Sequence, residues 1–580
     1  MTKRIYLFLI LAVLTYAATG QDLLSPPSYL QGFSRSKEYP QFIFSYPLEI
    51  PPTTAGSFGE LRPNHFHSGL DFKTQQRTGI PVHAPAAGFI SRLKIQYGGF
   101  GQAVYIDHPG GYTTVYGHLD RFTPEILQYI RSEQAKQQKY DVDLYLKPEE
   151  MPVYKGQVFA WSGNTGASGG PHLHFEIRDA ATQQTINPQL FGLTIPDKVP
   201  PTITSVSVYH LNGRPFDENT FRQSYAVRGA NGEYSLSQPQ TLELSGSIGF
   251  GISASDMNST SFNKNGVYSI ELKVDDKTVF TFAVERFGFD QTRGINAYID
   301  LPYQMRTGGF IQKCFVPPGS KATIYPQSVN KGIVTFADTA LHNVEYVVKD
   351  IAGNTSTVKL KVRSSIAKDR GIFTPKGFLL RYDRHNEFVN DKVKLVVEPN
   401  NIYDDLDLMY RTLPKRAGSL SELHGIHNRF TPIHDSLYLY IKPDVDISQL
   451  ANKVVVTGTV SGAVETDVVD GWVRGKIRSF GDYDIKVDTI PPTISGVNIR
   501  NGSNLSKVSR ITLRISDGLS GVKNYVGKID GKWVLVEHDY KSKAFIYTFD
   551  GSIGSGKHTF ELTATDYKDN VSQFTAEFTR

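Results

Sequence analysis

Two distant stretches of the chain read almost alike: "DKVPPTITSVSV" at 197–208 and "VDTIPPTISGVNI" at 487–499. Each leads from a Pro-Pro pair into an alternating apolar run, and proline is tolerated at the first residues of a strand. Further matches follow at fixed offsets. Gly266 stands before "DDK" (275–277) as Gly521 stands before "DGK" (530–532), and "DIAGN" (350–354) matches "DYKDN" (566–570). This pattern predicts two copies of one β-sandwich module, the first lengthened by insertions around 209–245 and 284–332. Between them, "KVKLVVEP", "SLYLYIKP" and "KVVVTGTV" predict a third sandwich with a pattern of its own.

The Pro-Pro-Thr lead-in and the Asp/Asn-rich final turn resemble those of bacterial immunoglobulin-like domains. Asp256, Asp350, Asp517 and Asp566 fall near strand ends. They could bind calcium, but the simpler expectation is that they close turns through side-chain to backbone hydrogen bonds.

At 580 residues the chain exceeds one core, and about 150 residues per domain implies about four domains. The N-terminus, "MTKRIYLFLILAVLTYAATGQD", sets two basic residues before a short apolar core and then small residues. That is the pattern of a secretory leader, and it is too short to span a bilayer comfortably. No later run is long and apolar enough for a membrane helix, so no transmembrane segment is expected. Formal net charge is +5, and +3 once Lys3 and Arg4 leave with the leader. With no basic stripe, nucleic acid is not an expected partner. Cys314 is the single cysteine, which excludes an internal disulfide and a thiolate metal cluster. Any zinc must then be held by histidine and carboxylate.

From Tyr46 to about Gly192 the sequence is Gly-rich with short β-branched and aromatic runs, which predicts strands and tight turns. One interruption, about 121–152, predicts a helical insertion. It has Thr123 as N-cap, Pro124 at the first helical position and an apolar stripe of Ile126, Leu127 and Ile130. Such an insertion could flank a groove or pack against the barrel.

"GGPHLHFEIRD" at 169–179 carries the chemistry. In a strand, His172, His174 and Glu176 share one face, while Leu173, Phe175 and Ile177 share the other. Upstream, "RPNHFHSGLDF" holds His67 and Asp71, and "VYGHLDRF" holds His118. A catalytic zinc takes three protein ligands and leaves a position open, a count that His67, Asp71 and His174 meet. His118 and His172 remain as free imidazoles.

These residues, in this order and context, resemble the lysostaphin/LytM-type zinc metallopeptidases, whose marks are His-x-x-x-Asp, Tyr-x-His-Leu and a terminal His-x-His. The resemblance covers about 46–192. It implies Zn2+ held by His67, Asp71 and His174, with His118 and His172 as the assisting catalytic pair. It also implies an exported endopeptidase that cuts peptide bonds in the stem or cross-bridge of peptidoglycan, in the periplasm, cell envelope or outside the cell. The sandwiches would position the catalytic domain or meet an envelope protein partner. The alternatives are a non-catalytic protein that recruits a wall hydrolase, and a zinc peptidase acting on proteins.

Other candidates read more plainly. His65, His83 and His108 are expected to be structural. Glu176 is either a supporting partner of His174 or a solvated strand residue, and Asn64 is a weaker candidate for substrate contact. Ser162 and Ser168 lack a base in any familiar order. The expected architecture is mostly β. A leader at 1–20 is followed by a compact peptidase domain at 21–196, then β-sandwich domains at 197–366, 367–488 and 489–580.

Overall fold

The computed structural model describes residues 39–366 and 374–580. The segment read as a leader lies outside the described residues, as does the start of the second sandwich at 367–373. No helix among the described residues is long and apolar enough to cross a membrane. The chain is mostly β.

The first domain is built on an antiparallel sheet of β1 (Thr54–Gly56), β2 (Leu70–Lys73), β3 (Gly88–Ile95), β4 (Gln102–His108), β5 (Tyr112–Gly117), β6 (Val142–Tyr145) and β7 (His172–Asp179). Their spatial order is β1-β2-β7-β5-β4-β3-β6. Alternation places Leu173, Phe175 and Ile177 of β7 beside Leu70 and Phe72 of β2 in the core. A smaller sheet of Pro81–His83, Val158–Trp161 and Arg121–Phe122 closes the other side.

The insertion at 121–152 is helical only over α1 (Pro124–Gln137). The rest returns to the sheet: β6 pairs along β3, and Pro152–Val153 pairs with Phe89 and Gly88. The sequence "VDLY" of β6 alternates buried and exposed residues, a period-2 signal that wins over the preceding helix. Thr123 does occupy the N-cap, yet its side chain makes no capping bond. Ile126 and Ile130 are buried, whereas Leu127 faces solvent.

The first sandwich contains β8 (Thr202–His210), β9 (Gly246–Ser255), β10 (Leu341–Lys349) and β11 (Thr355–Ser364). β8 pairs with β9 and β10 with β11, both antiparallel. Along β11 every second residue, Ser356 to Ser364, is buried. The middle region forms two sheets over 386–487 around Leu395, Leu439, Val456 and Ile485. The last module likewise has two sheets, with β12 (Arg510–Ser516) in one and β13 (Lys557–Asp566) paired to β14 (Val571–Thr579) in the other. The turns before β11 and β14 are closed alike: Asp350 Oδ1 accepts from the Gly353 and Asn354 amides, and Asp566 Oδ1 from those of Lys568 and Asn570.

The first domain and the first sandwich share one continuous core. Phe58 and Phe66 meet Phe287 at ring-centroid distances of 5.2 and 5.7 Å, and Phe66 also meets Tyr298 at 6.1 Å. The short strand Thr185–Ile186, paired to β7, goes on to pair with Arg286–Phe287, so hydrogen bonding runs from the first domain into the sandwich.

Candidate metal centre

Strand register assembles the cluster. Asp71 on β2 lies directly opposite His174 on β7, and His174 lies opposite Gly117 on β5. A Cβ at Gly117 would sit 3.3 Å from both His174 and Phe100, so glycine there leaves the imidazole its space. Phe100 in turn stacks on His174 at 4.7 Å. His67 comes from the turn before β2, four residues ahead of Asp71.

Asp71 Oδ1 is 3.0 Å from His67 Nε2 and 2.9 Å from His174 Nδ1, and those two nitrogens are 3.1 Å apart. All three side chains are buried. The outer nitrogens are committed: His67 Nδ1 donates to Ser57 O at 2.8 Å, and His174 Nε2 faces Glu176 Oε1 at 2.8 Å. In neutral imidazoles this leaves both inner nitrogens with lone pairs aimed at the same carboxylate oxygen. Three converging lone pairs call for a positive centre, which either a proton on His174 or a metal ion supplies. Two histidines and one carboxylate, closely grouped, are the donor set of a borderline divalent ion such as zinc.

The electrostatics carry the same demand. Burial pushes His67 down to about 4. It also opposes protonation of His174, but hydrogen bonds to Asp71 and Glu176 outweigh it and raise His174 to about 9. Burial would raise Asp71; the charge of His67 and hydrogen bonds from the three histidines instead hold its carboxyl well below the usual range. Glu176 is likewise opposed by burial yet held at about 2 by Arg178 and His174.

His118 and His172 stand beside this trio, their rings 4.7 Å apart. His118 Nδ1 donates to Thr165 O at 2.8 Å, and His172 Nδ1 donates to Gly170 O at 2.8 Å. His172 Nε2 lies 3.4 Å from Asp71 Oδ1. Burial, followed by the charges of His174 and His172, pushes His118 down to about 3. His118 has φ of 61°, a left-handed backbone that is costly for a non-glycine residue and is held by its amide bond to Phe100 O. Both imidazoles and Asp71 line an open groove of about 760 Å³, walled by Ile50, Lys73, Gln76 and the turn at 167–171.

Sequence reasoning missed Arg62. Its Nη2 donates to Asp71 Oδ2 at 2.6 Å, fixing the carboxylate so that Oδ1 alone faces the histidines. Gly56 permits this, since a Cβ there would meet that nitrogen at 2.4 Å. "FGELRP" was visible upstream, but nothing in its spacing pointed to the Asp71 carboxylate. Glu176 is a buried partner of His174, tied further to Ser68 and Arg178, which removes the solvated reading.

Asn64, read as a weaker candidate for substrate contact, lies outside the histidine groove. It bonds to Asn296 at 3.1 Å and lines a separate cavity of about 840 Å³ against the sandwiches. No residue of 121–152 lines the histidine groove, so the insertion packs on the sheet. His65, His83 and His108 are satisfied by Pro63 O, Gly156 O and Ala87 O. Ser162 is buried against the Ile80 amide. Ser168 lies 3.3 Å from His172 Nδ1, but that nitrogen already donates to Gly170 O and cannot serve as its base.

Two family models match the chain: peptidase family M23 over residues 65–136 and a Zu5-like domain over 378–488. The chain carries a peptidase family M23 domain. Similar curated proteins each match a part of the chain. An uncharacterized metalloprotease of Haemophilus influenzae is 34% identical over 141 residues, 23% of this chain and 24% of that protein. The DD-carboxypeptidase/endopeptidase Mpg of Neisseria meningitidis is 36% identical over 131 residues, again 23% and 24%. Lysostaphin of Staphylococcus simulans is 30% identical over 111 residues, 19% of this chain and 17% of that protein. The chain spans about a quarter or less of the length of these relatives, so the likeness is one of the M23 domain.

Proposed function

We propose that the chain is an exported zinc metalloendopeptidase that hydrolyses peptide bonds in the stem or cross-bridge of bacterial peptidoglycan. The observation that carries this reading is the convergence of His67 Nε2, Asp71 Oδ1 and His174 Nδ1 beside two imidazoles whose Nδ1 atoms are anchored to backbone carbonyls. The names of similar proteins, among them a glycyl-glycine endopeptidase, support the substrate class.

His67, Asp71 and His174 would hold the ion. Bound zinc supplies Lewis acidity toward a scissile carbonyl and acidifies a water toward neutral pH. The chain's own residues do the rest. His118 and His172 present Nε2 to the groove, where one accepts the water's proton and either can return it to the leaving amine. Protonated, they also stabilise the developing oxyanion. Arg62 and Glu176 lock Asp71 and His174 in place, so little reorganisation is needed during the reaction.

The test is digestion of purified sacculi by the zinc-loaded protein and by His174→Ala, with fragments identified by mass spectrometry. Cleaved stem or cross-bridge peptides from the unaltered protein alone are expected. An intact, zinc-bearing chain that releases none from sacculi yet cuts protein substrates would overturn the wall assignment.

A further inference from the structure

The repeat places three aspartates at matching positions in both copies of the module. Asp197 and Asp488 begin the two Asp-x-x-Pro-Pro-Thr lead-ins, Asp256 and Asp517 follow β9 and β12, and Asp350 and Asp566 close the final turns. In each copy the three carboxylates offer oxygen atoms within 4.8 Å of one another. Each cluster leaves one buried carboxylate oxygen without a partner, Asp256 Oδ1 in the first copy and Asp517 Oδ2 in the last, and the two differ in what surrounds that oxygen.

In the last module, Asp488 accepts from the Ile490 and Ser520 amides, and Asp517 Oδ1 from the Leu519 and Gly521 amides. Asn570, bonded to Asp566, also accepts from the Lys453 ammonium at 2.6 Å, which brings positive charge to the cluster. In the first sandwich Asp256 is only 7% exposed, yet its Oδ1 has no hydrogen-bond partner. Asn265, 5% exposed, is the bridged cross-strand neighbour of Asp256, and its Oδ1 is also unpartnered. Leaving two such acceptors buried and unused is costly, on the order of 1–3 kcal/mol each.

Both side chains, with Asp197, line a small cavity of about 30 Å³. Among the described residues no Lys or Arg lines it. Thr54, Ser57 and Phe58 of the M23 domain form its opposite wall.

We propose that Asp197, Asp256 and Asp350, together with Asn265, form a site for a hard divalent cation of the calcium class at the seam between the M23 domain and the first sandwich. All the donors are oxygens, as such an ion requires, and among the described residues no lysine or arginine lines the cavity to balance the charge of the cluster. Burial, reinforced by the charges of Asp350 and Asp197, raises Asp256 to about 8, the cost of keeping this cluster without a cation. An ion here would bear on the catalytic side. The loop after Asp256 binds the M23 domain through Asn258 to Thr54 and through the Gly266 amide to Ser57 Oγ, and Ser57 O holds His67.

The test is calorimetric titration of CaCl2 into the zinc-loaded full chain, alongside terbium luminescence excited through tyrosine, since Tyr268 lines the cavity. Expected is a calcium site with Kd below about 1 mM, as in extracellular modules. It should weaken at least tenfold in Asp256→Asn and stay within twofold in Asp517→Asn. Terbium emission should be displaced by calcium and fall severalfold in Tyr268→Phe. That measurement needs no change to the aspartates, so it stands even where Asp256→Asn fails to fold. Absence of both calcium heat and calcium-displaceable emission overturns the proposal. So does a site that survives Asp256→Asn and disappears in Asp517→Asn.

Discussion

The first and last sandwiches begin from nearly the same sequence and end in different relations to the M23 domain. The first has taken in an insertion whose Phe287 and Tyr298 enter the core beside Phe58 and Phe66, so two domains share one apolar interior. The last keeps a core of its own, from Ile499 to Phe578. It meets the M23 domain through surface groups: His538 stacks on Tyr97 at 3.7 Å, Glu537 pairs with Arg131 at 2.7 Å, and Lys541 bonds to Asn164 O. What a β module does in a chain is thus decided less by its repeated strands than by what its insertions bury. Apolar burial unites two domains into one cooperative unit, whereas polar contact only seats one against another.

The largest expected effect comes from removing each module in turn. A chain ending at Asp488 should keep the M23 melting transition within about 2 °C, because it loses only exposed pairs worth about 1 kcal/mol or less each. A chain ending at Pro196 uncovers Phe58 and Phe66, each worth about 1.5–3 kcal/mol when buried. Against a total stability of about 5–15 kcal/mol, that loss should leave it insoluble or unfolded. Calorimetry and soluble yield would check both; a well-folded short chain would break the comparison.

Next in size is Phe287→Ala, which empties the seam between Phe58 and Phe66. The expected cost is about 3–5 kcal/mol by denaturant unfolding, and it should lower the M23 and first-sandwich transitions together. Tyr97→Ala, on the other seam, should cost about 1 kcal/mol and leave the two transitions independent. If Phe287→Ala lowered only one of its two transitions, the shared core would not be acting as a single unit.

Much of this was legible in the sequence, for identifiable reasons. His172 and His174 share a strand face by a period of two, and β pairing brings Asp71 opposite His174. Both repeat copies announced themselves because turns closed by Asp and Asn need those residue types at fixed spacing. The seam was not legible. Phe287 and Tyr298 lie in an insertion with no periodicity, and apolar residues alone do not say which domain's core they enter. Arg62 escaped for a similar reason, since a guanidinium nine residues before its carboxylate partner follows neither strand nor helix spacing. The insertion at 121–152 was over-read as helical because a well-started helix hides the strand that follows it.

The smallest effect tests the cooperative unit most directly. Each copy carries the same exposed pair, His342 Nδ1 to Asp275 Oδ2 and His558 Nδ1 to Asp530 Oδ2, both at 2.7 Å. The aspartate's hydrogen bond raises each histidine, and the histidine's bond lowers each aspartate. A raised histidine contributes its full stabilisation below its unfolded value of about 6.5 and loses it as pH climbs through the folded value. A lowered aspartate contributes above about 3.9 and loses it as pH falls through its own folded value. The pair is therefore strongest between about pH 4 and 6.5, and being exposed it is worth about 0.5 kcal/mol. Asp530→Asn at pH 5.5 should lower the last module's Tm by about 2–4 °C, the response of a domain of that size. His342 also faces Asp338 Oδ1 at 3.2 Å, so Asp275→Asn is combined with Asp338→Asn; at least the same local energy is lost, but it is spread over the larger unit that the first sandwich forms with the M23 domain, and should shift Tm by about 1 °C. Both shifts should shrink at pH 8.5. Equal shifts at pH 5.5 would mean that the first sandwich melts alone, and that the apolar seam does not couple it to the domain it covers.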